Sequence, residues 1–450
     1  MLQHNSLSEQ RQNQLSLIFS SLKLSQLLRT TGIRKSYGVS SFAVFQIIFQ
    51  LVFQGRNLYR LLEGSRAELL PGKDVVYRFL NESRYNWRRF YQLLSLKVVG
   101  RFEKLTSAKR IRVFIVDDSV MGRERSKKVE LLARIFDHVS GRFIRGYSLL
   151  TLGWSDGYSF APIDFTLMSS AKVKNRLCEM REDLDKRSIG YKRRLEAMNP
   201  KPDAVVQMLE RALIAGFSAD YVLMDSWFTH APLLQKLMDK GLHTIGIVKE
   251  LKQRYCFEGN ALSLSELYAK IPKNPKAEIL GSVRVQTLTG LSLKIVFVQN
   301  RNNRRDWLAI LTTDIALDNA EIIRIYGMRW SIETFFKVAK SHLKLGTEFQ
   351  GRSFDMMISH TTIVFTRYLI LEWERRQNND ERSLGGLFYL FADEVNDLDL
   401  KTALRQLMAF VLDLLPNKPK NKESLSQLNN WISDLPSYIK ALFAQLGCES

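Results

Sequence analysis

The hydrophobic and polar positions change rhythm several times along the chain, and the changes outline its elements. From the start to about residue 105, apolar residues recur at helical spacing. Turn breaks fall at Thr31-Gly32, Gly55, Gly64 and Pro71-Gly72. At Ile111 the texture changes. RVFIVDDSV (Arg112 to Val120) is a β-branched run ending in two carboxylates, and Gly146 to Gly157 reads as another strand. Residues 170–202 read as a charged helical stretch. The pattern then alternates: helix over 203–216, strand over 221–225, helix over 231–240, strand over 243–249. From about 254 to 314 the period becomes two, which predicts a β-rich insertion. The segment Ile325 to Gly346 reads as one amphipathic helix, with Ile325, Met328, Ile332, Phe336, Ala339 and Leu343 as its core-facing side. After Gly346 the chain reads as helical, with a proline-containing polar break at Pro416 to Ser424.

This alternation predicts an α/β layer architecture with a mixed sheet, flanked by helical N- and C-terminal regions. The expected domains are a helical one over 1–105, an α/β core over 106–346 and a helical region over 347–450.

Composition narrows the partners. The chain has 450 residues, is 45% hydrophobic, and carries 66 Lys+Arg against 46 Asp+Glu, a net charge of +20. Roughly half of that surplus falls in the first 105 residues. A surplus of this size points to a polyanion, with nucleic acid first and anionic membrane second. The membrane reading is weak. The apolar run Val39 to Gly55 is interrupted by Gln46 and Gln50, and Ile358 to Trp373 contains His360 and Arg367. No signal-peptide pattern opens the chain, and three distant cysteines suit a reducing compartment, so a cytoplasmic protein is expected.

Within the N-terminal region, Val75 to Gln92 interleaves Arg78, Arg84, Arg88 and Arg89 with Tyr77, Tyr85, Trp87 and Tyr91, a mixture suited to a phosphate backbone. Residues 170–202 hold ten basic and five acidic residues. These cations, with Arg123, Arg125, Lys127 and Lys128, are candidates for tracking DNA. For each the plain alternative is a solvated surface charge.

Three carboxylates stand apart. One of the pair Asp117-Asp118 ends the first strand, Asp225 ends another, and Glu333 lies on the amphipathic segment. Strand ends of an α/β sheet converge at one edge. Side chains alternate along a strand, so one residue of the doublet faces that edge and its neighbour faces away. Carboxylates without thiols or histidines form a hard oxygen site suited to Mg²⁺ or Mn²⁺. Taken singly, each has a structural alternative as a turn former, helix cap or surface ion pair. On an unbroken helix, Tyr326, Arg329, Glu333 and Lys340 would share a stripe about 60° wide beside the core-facing side.

The spacing of those four residues fits the Y-(2)-R-(3)-E-(6)-K signature, and the segment resembles the insertion-sequence-four family of bacterial DDE transposases. VDDS and LMDSWF are similar to that family's two aspartate regions, and the resemblance covers roughly Arg112 to Gly346. It implies a ribonuclease-H-like catalytic core with a β-rich insertion. Asp118, Asp225 and Glu333 would be the catalytic carboxylates, holding two Mg²⁺ (or Mn²⁺) ions. Tyr326, Arg329 and Lys340 would contact DNA phosphates, and Trp307 would stack on a flipped base or, alternatively, pack in a strand. The implied partners are terminal inverted repeats, target DNA and a second copy of the chain. The implied reaction is metal-dependent cleavage and strand transfer. A non-catalytic DNA-binding regulator and a stand-alone nuclease are the competing readings.

Overall fold

In β1 (Val113–Gly122), four consecutive buried residues, Val113 to Val116, precede the two half-buried aspartates. A strand buried on both faces reads as a continuous apolar run, and this one lies inside a sheet. The computed structural model describes residues 14–63, 70–272, 277–300, 303, 306–377 and 382–395. The residues from 396 onward, where the second half of the expected C-terminal helical region falls, lie outside them.

β1 pairs antiparallel with β3 (Arg142–Ser155), whose outer part also pairs with β2 (Ala133–Asp137). β4 (Phe160–Met168) pairs with β3 on its other edge. On the far side β1 runs parallel to β5 (Tyr221–Met224), and β5 parallel to β6 (His243–Val248). The order β4-β3-β1-β5-β6 is an antiparallel meander followed by two strands parallel to its first member, within one mixed sheet. Parallel neighbours require crossovers. Helices α8 (Lys201–Ala215) and α9 (Ala231–Met238) lead into β5 and β6.

The expected insertion joins this sheet. β7 (Tyr255–Phe257), β8 (Asn260–Leu262), β9 (Ile279–Thr287), β10 (Ser292–Gln299) and β11 (Trp307–Thr312) extend it from β6, making 11 strands among the described residues. The period-two reading missed a helix, α10 (Leu264–Lys270). Ser263 and Glu266 bond reciprocally to each other's backbone N–H there, a capping box that fixes its start.

Two other expectations need correction. Residues 170–202 are not one helix: after a 3₁₀ turn at Val173–Asn175 the chain is irregular until α7 (Ile189–Ala197). The segment from Ile325 is also interrupted. α11 (Asn319–Gly327) and α12 (Trp330–Ser341) meet at a junction where the N–H groups of Met328, Arg329, Ser331 and Ile332 each bond three residues back. The Ser331 hydroxyl also donates to the Met328 carbonyl at 2.8 Å, competing with the α-helical pattern beside Gly327.

The N-terminal helices are α1 (Gln14–Ser21), α2 (Leu24–Thr30), α3 (Ser41–Gln50), α4 (Leu58–Leu62), α5 (Lys73–Asn81) and α6 (Trp87–Lys104). They do not stand apart as the sequence suggests. α3, α5 and α6 pack around α13 (Phe354–Gln377), which is buried along nearly its whole length. Residues through 52 and from 56 to 387 form one compact unit. The turn Phe53–Gly55 belongs with residues from 388, where Phe53 packs on Phe388 and Phe391.

α13 contains the run that gave the membrane alternative. Its Arg367 is fully buried and fully used. The guanidinium donates to the carbonyls of Phe49 (3.0 Å), Ile48 (2.5 Å) and Leu343 (3.1 Å) and pairs with Glu348 at 2.9 Å. It thereby adds a charged donor to the Ile48 and Phe49 carbonyls at the C-terminal end of α3. Among the described residues no helix is long and apolar enough to cross a membrane.

Candidate active site where β1 runs on past the end of β5

The parallel register of β1 and β5 runs through Ile115↔Leu223 and Val116↔Met224. The next residues are Asp117 and Asp225. Paired residues on adjacent strands project to the same face, so Asp117 is the doublet member beside Asp225. Electrostatically Asp225 is coupled to both members of the doublet: beyond burial, its charge raises Asp117, and that of Asp118 raises it. Burial pushes the Asp117 carboxyl up to about 7, opposed by Arg329 and assisted by the negative charge of Asp225. Burial likewise raises Asp225, which also accepts the Trp227 backbone N–H at 3.0 Å.

Asp118 is engaged elsewhere. Its carboxylate accepts from the Ser148 hydroxyl on β3 and from the Lys201 ammonium at 2.8 Å. Lys201 opens α8 and sits 5.1 Å from the Trp227 ring. The structure therefore brings Asp117, rather than the expected Asp118, to the α11–α12 side of the sheet edge.

Arg329 connects the third carboxylate. Placed by the tightened junction, its guanidinium donates to Asp117 at 3.0 Å and pairs with Glu333 one turn further along α12. It also lies 5.8 Å from the Tyr326 ring. Burial alone would weaken the positive charge of Arg329; the neighbouring Tyr326, Asp117 and Glu333 more than offset this and hold its pKa above the usual value. In this arrangement no group of three His, Cys, Asp or Glu among the described residues is close enough to hold a metal ion, because Arg329 stands between Asp117 and Glu333.

A cleft of about 610 Å³ opens beside these groups, lined by Asp225, Lys249, Glu250, Trp307, Tyr326 and Arg329. Trp307 is half-buried and packed against Tyr268 and Phe297, each with ring centroids 5.1 Å away. Trp307 thus packs in a strand against two aromatic rings and also lines the cleft.

The remaining predicted residues scatter. Lys340 is two turns along α12 from Glu333, roughly 10 Å by helical rise, and its nearest electrostatic partner is Asp137. Arg123 is buried and donates to the carbonyls of Gly346 and Phe349, so it ties chain segments together and does not face solvent. Arg88 pairs with Glu196 and lies 3.7 Å from Asp164, inside a buried charge network with Arg211. These two are corrections to the expected DNA contacts. Arg89 and Arg125 are exposed. Sequence reading passed over Trp227 and Lys249, and counted Lys201 only among the cations of residues 170–202. Lys201 opens a helix directly after Pro200, but nothing local announces that Asp118 lies across from it.

One carboxylate within β1, one just past the end of β5, a third on a helix and an arginine between them make a hard, anionic site of the kind that works on phosphodiesters. Residues 53–257 match the family model described as DDE superfamily endonuclease, and residues 199–370 match that of the transposase DDE domain. From 53 to 370 the chain is therefore similar to DDE-type endonuclease and transposase domains, which are nuclease-type enzymes that generally use divalent metal ions. No curated protein matches it significantly. Among solved structures, the cryo-EM synaptic complex of piggyBac transposase with hairpin DNA is similar at 12% identity and a TM-score of 0.46, over 93% of this chain and 87% of that one.

Proposed function

We propose that this chain is a DNA transposase of a bacterial insertion sequence, with Asp117, Asp225 and Glu333 as its catalytic carboxylates. The observation that carries the reading is that Asp117 and Asp225 directly follow the last paired residues of β1 and β5, with Arg329 joining Asp117 to Glu333. Asp117 replaces Asp118 in the triad because Asp118 is held by Lys201 and Ser148.

The donor set fits a hard divalent cation. All three are carboxylate oxygens; both aspartates are partly buried, and neighbouring negative charge raises each, that of Asp225 on Asp117 and that of Asp118 on Asp225. Asp117, Asp225 and Glu333 would hold Mg²⁺ or Mn²⁺, with two ions in the full reading. Bound there, such ions supply a Lewis acid and an acidified water for phosphodiester cleavage. The protein's own groups do the rest. Arg329 exchanges a carboxylate for a backbone phosphate, a partner that its forked guanidinium binds equally well. Tyr326 steadies that guanidinium and offers its hydroxyl to the same phosphate. Trp307 presents an aromatic face, backed by Tyr268 and Phe297, to a base displaced from the duplex. Arg89, Arg125 and Lys340 follow the backbone further out. Two copies of the chain, acting in the cytoplasm, would bring the terminal inverted repeats and target DNA together.

The test is cleavage of a duplex carrying the element's own ends, with Mg²⁺ or Mn²⁺, by wild type and Glu333→Gln. Nicking by wild type and its loss in a variant that still binds supports the proposal. Equal cutting by both removes Glu333 from the site. Binding without cutting by either selects a DNA-binding regulator.

A further inference from the structure

We propose that the cleft between the α2–α3 loop and α5 is a second DNA-backbone site, remote in sequence from the carboxylates. This rests on the transposase reading for its biological partner. The physical case is separate.

The cleft measures about 890 Å³, and Arg34 and Lys35 on the loop and Arg78 on α5 all line it. Among the described residues none of these three has a carboxylate partner. Arg78 donates only to the Asp74 backbone carbonyl, at 3.2 Å. The one acid in the lining, Glu82, is taken by Arg84 through two bonds of 2.8 Å, which also hold its carboxyl below the usual range. Among the described residues the cleft thus keeps three positive charges without a carboxylate partner.

Its frame is firm. Ile33 and Phe79 are buried beneath it, and the Tyr85 hydroxyl donates to the Arg34 carbonyl at 3.2 Å, tying the loop to the turn after α5. Gly32 and Gly38 hold positive φ angles of 78° and 72°, so the loop can bend back at both ends. Tyr37 stands at the rim, 90% exposed.

The chemistry that fits is a run of phosphodiesters. Three cations spread over two elements suit successive phosphates better than one small anion, which would need donors converging on a point. An exposed tyrosine beside them suits a sugar–phosphate surface. The +20 net charge brings such a polyanion to the surface by long-range attraction.

The experiment is fluorescence anisotropy of the full chain with a labelled random-sequence duplex over a salt series. It compares wild type, the cleft variant Arg34→Ala/Lys35→Ala/Arg78→Ala, and the charge-matched control Lys104→Ala/Lys109→Ala/Lys252→Ala. Thermal melting verifies that each is folded. The cleft variant should lose at least about tenfold in affinity, and its slope of log K against log salt should shrink by about 2 to 3, near 0.9 per lost phosphate contact. The control should lose much less. Equal losses in both variants would overturn the proposal, as would an unchanged slope in the cleft variant. Loss of binding to phosphatidylserine vesicles with DNA binding intact would assign the cleft to membrane and overturn it too. A failure of the catalytic reading stays distinguishable, because this binding assay needs neither metal nor cleavage.

Discussion

Asp117 and Asp118 show how much one residue of register decides. Chemically the two are the same, but one shares a face with Asp225 and the other turns to Lys201. The raised pKa of Asp117 has a measurable consequence in metal-free protein. An acid whose folded pKa lies above its unfolded value contributes stability at low pH and loses it as pH rises, here between about 4 and about 7. Asp117→Asn should therefore flatten the fall in melting temperature across that window and melt roughly a few degrees above wild type at pH 8. An unchanged pH profile would mean that Asp117 titrates normally. Arg329→Lys is not conservative, because one ammonium cannot bridge Asp117 and Glu333 as the fork does. Cleavage should fall about 10- to 100-fold in a single-turnover assay with duplex binding largely kept. From sequence, the acidic residue types and their neighbourhood were legible. Which aspartate faces the site was not, because that depends on a strand partner more than a hundred residues away. Arg88 and Arg123 were misread for the same reason: their partners Glu196 and Gly346 are invisible locally.

The helical period served well where packing governs the element. Of the six residues expected on the core side from Ile325 to Leu343, Ile325, Ile332, Phe336, Ala339 and Leu343 are buried, and Met328 at the junction is half-buried. What the period could not supply was the tightening between α11 and α12, which rotates Arg329 relative to a straight helix. The capping box of α10 was readable as Ser263 followed by Glu266, but lies among strands that drew the reading toward period two. α13 explains why the run Ile358 to Trp373 is too polar for a membrane: its arginine and histidine are paired inside the protein. Arg367→Met would leave Glu348 buried without its guanidinium and free the carbonyls of α3. Chemical denaturation should show a loss of about 3–5 kcal/mol. A loss below about 1 kcal/mol would mean that the network is not needed to hold α3 against α13.

At the scale of the molecule, one sheet carries both the β4-β3-β1-β5-β6 strands and the β-rich extension, so the Trp307 strand is held rigidly beside Asp225. α/β character was legible from alternating periods, whereas the merging of the N-terminal helices with α13 was not. Both sets are amphipathic or apolar in sequence, and only the fold shows that they cover one another. The excess charge predicts binding to duplex DNA that falls linearly on a log–log plot with salt. The loss should reach about a thousandfold between 50 and 200 mM if some six phosphates are neutralised. Salt-insensitive binding would contradict a backbone-led interface.

The central claim is that Asp117, Asp225 and Glu333 form one catalytic set. Its most direct test is Mn²⁺-dependent cleavage of an end-bearing duplex by Asp117→Asn and Asp118→Asn, measured side by side with duplex affinity as a control. Asp117→Asn should lose more than about 100-fold in rate at unchanged affinity. Asp118→Asn should keep most of its rate and lose stability through the freed Lys201. If Asp118→Asn abolishes cleavage and Asp117→Asn does not, the strand register has been read to the wrong residue and the account of the site fails.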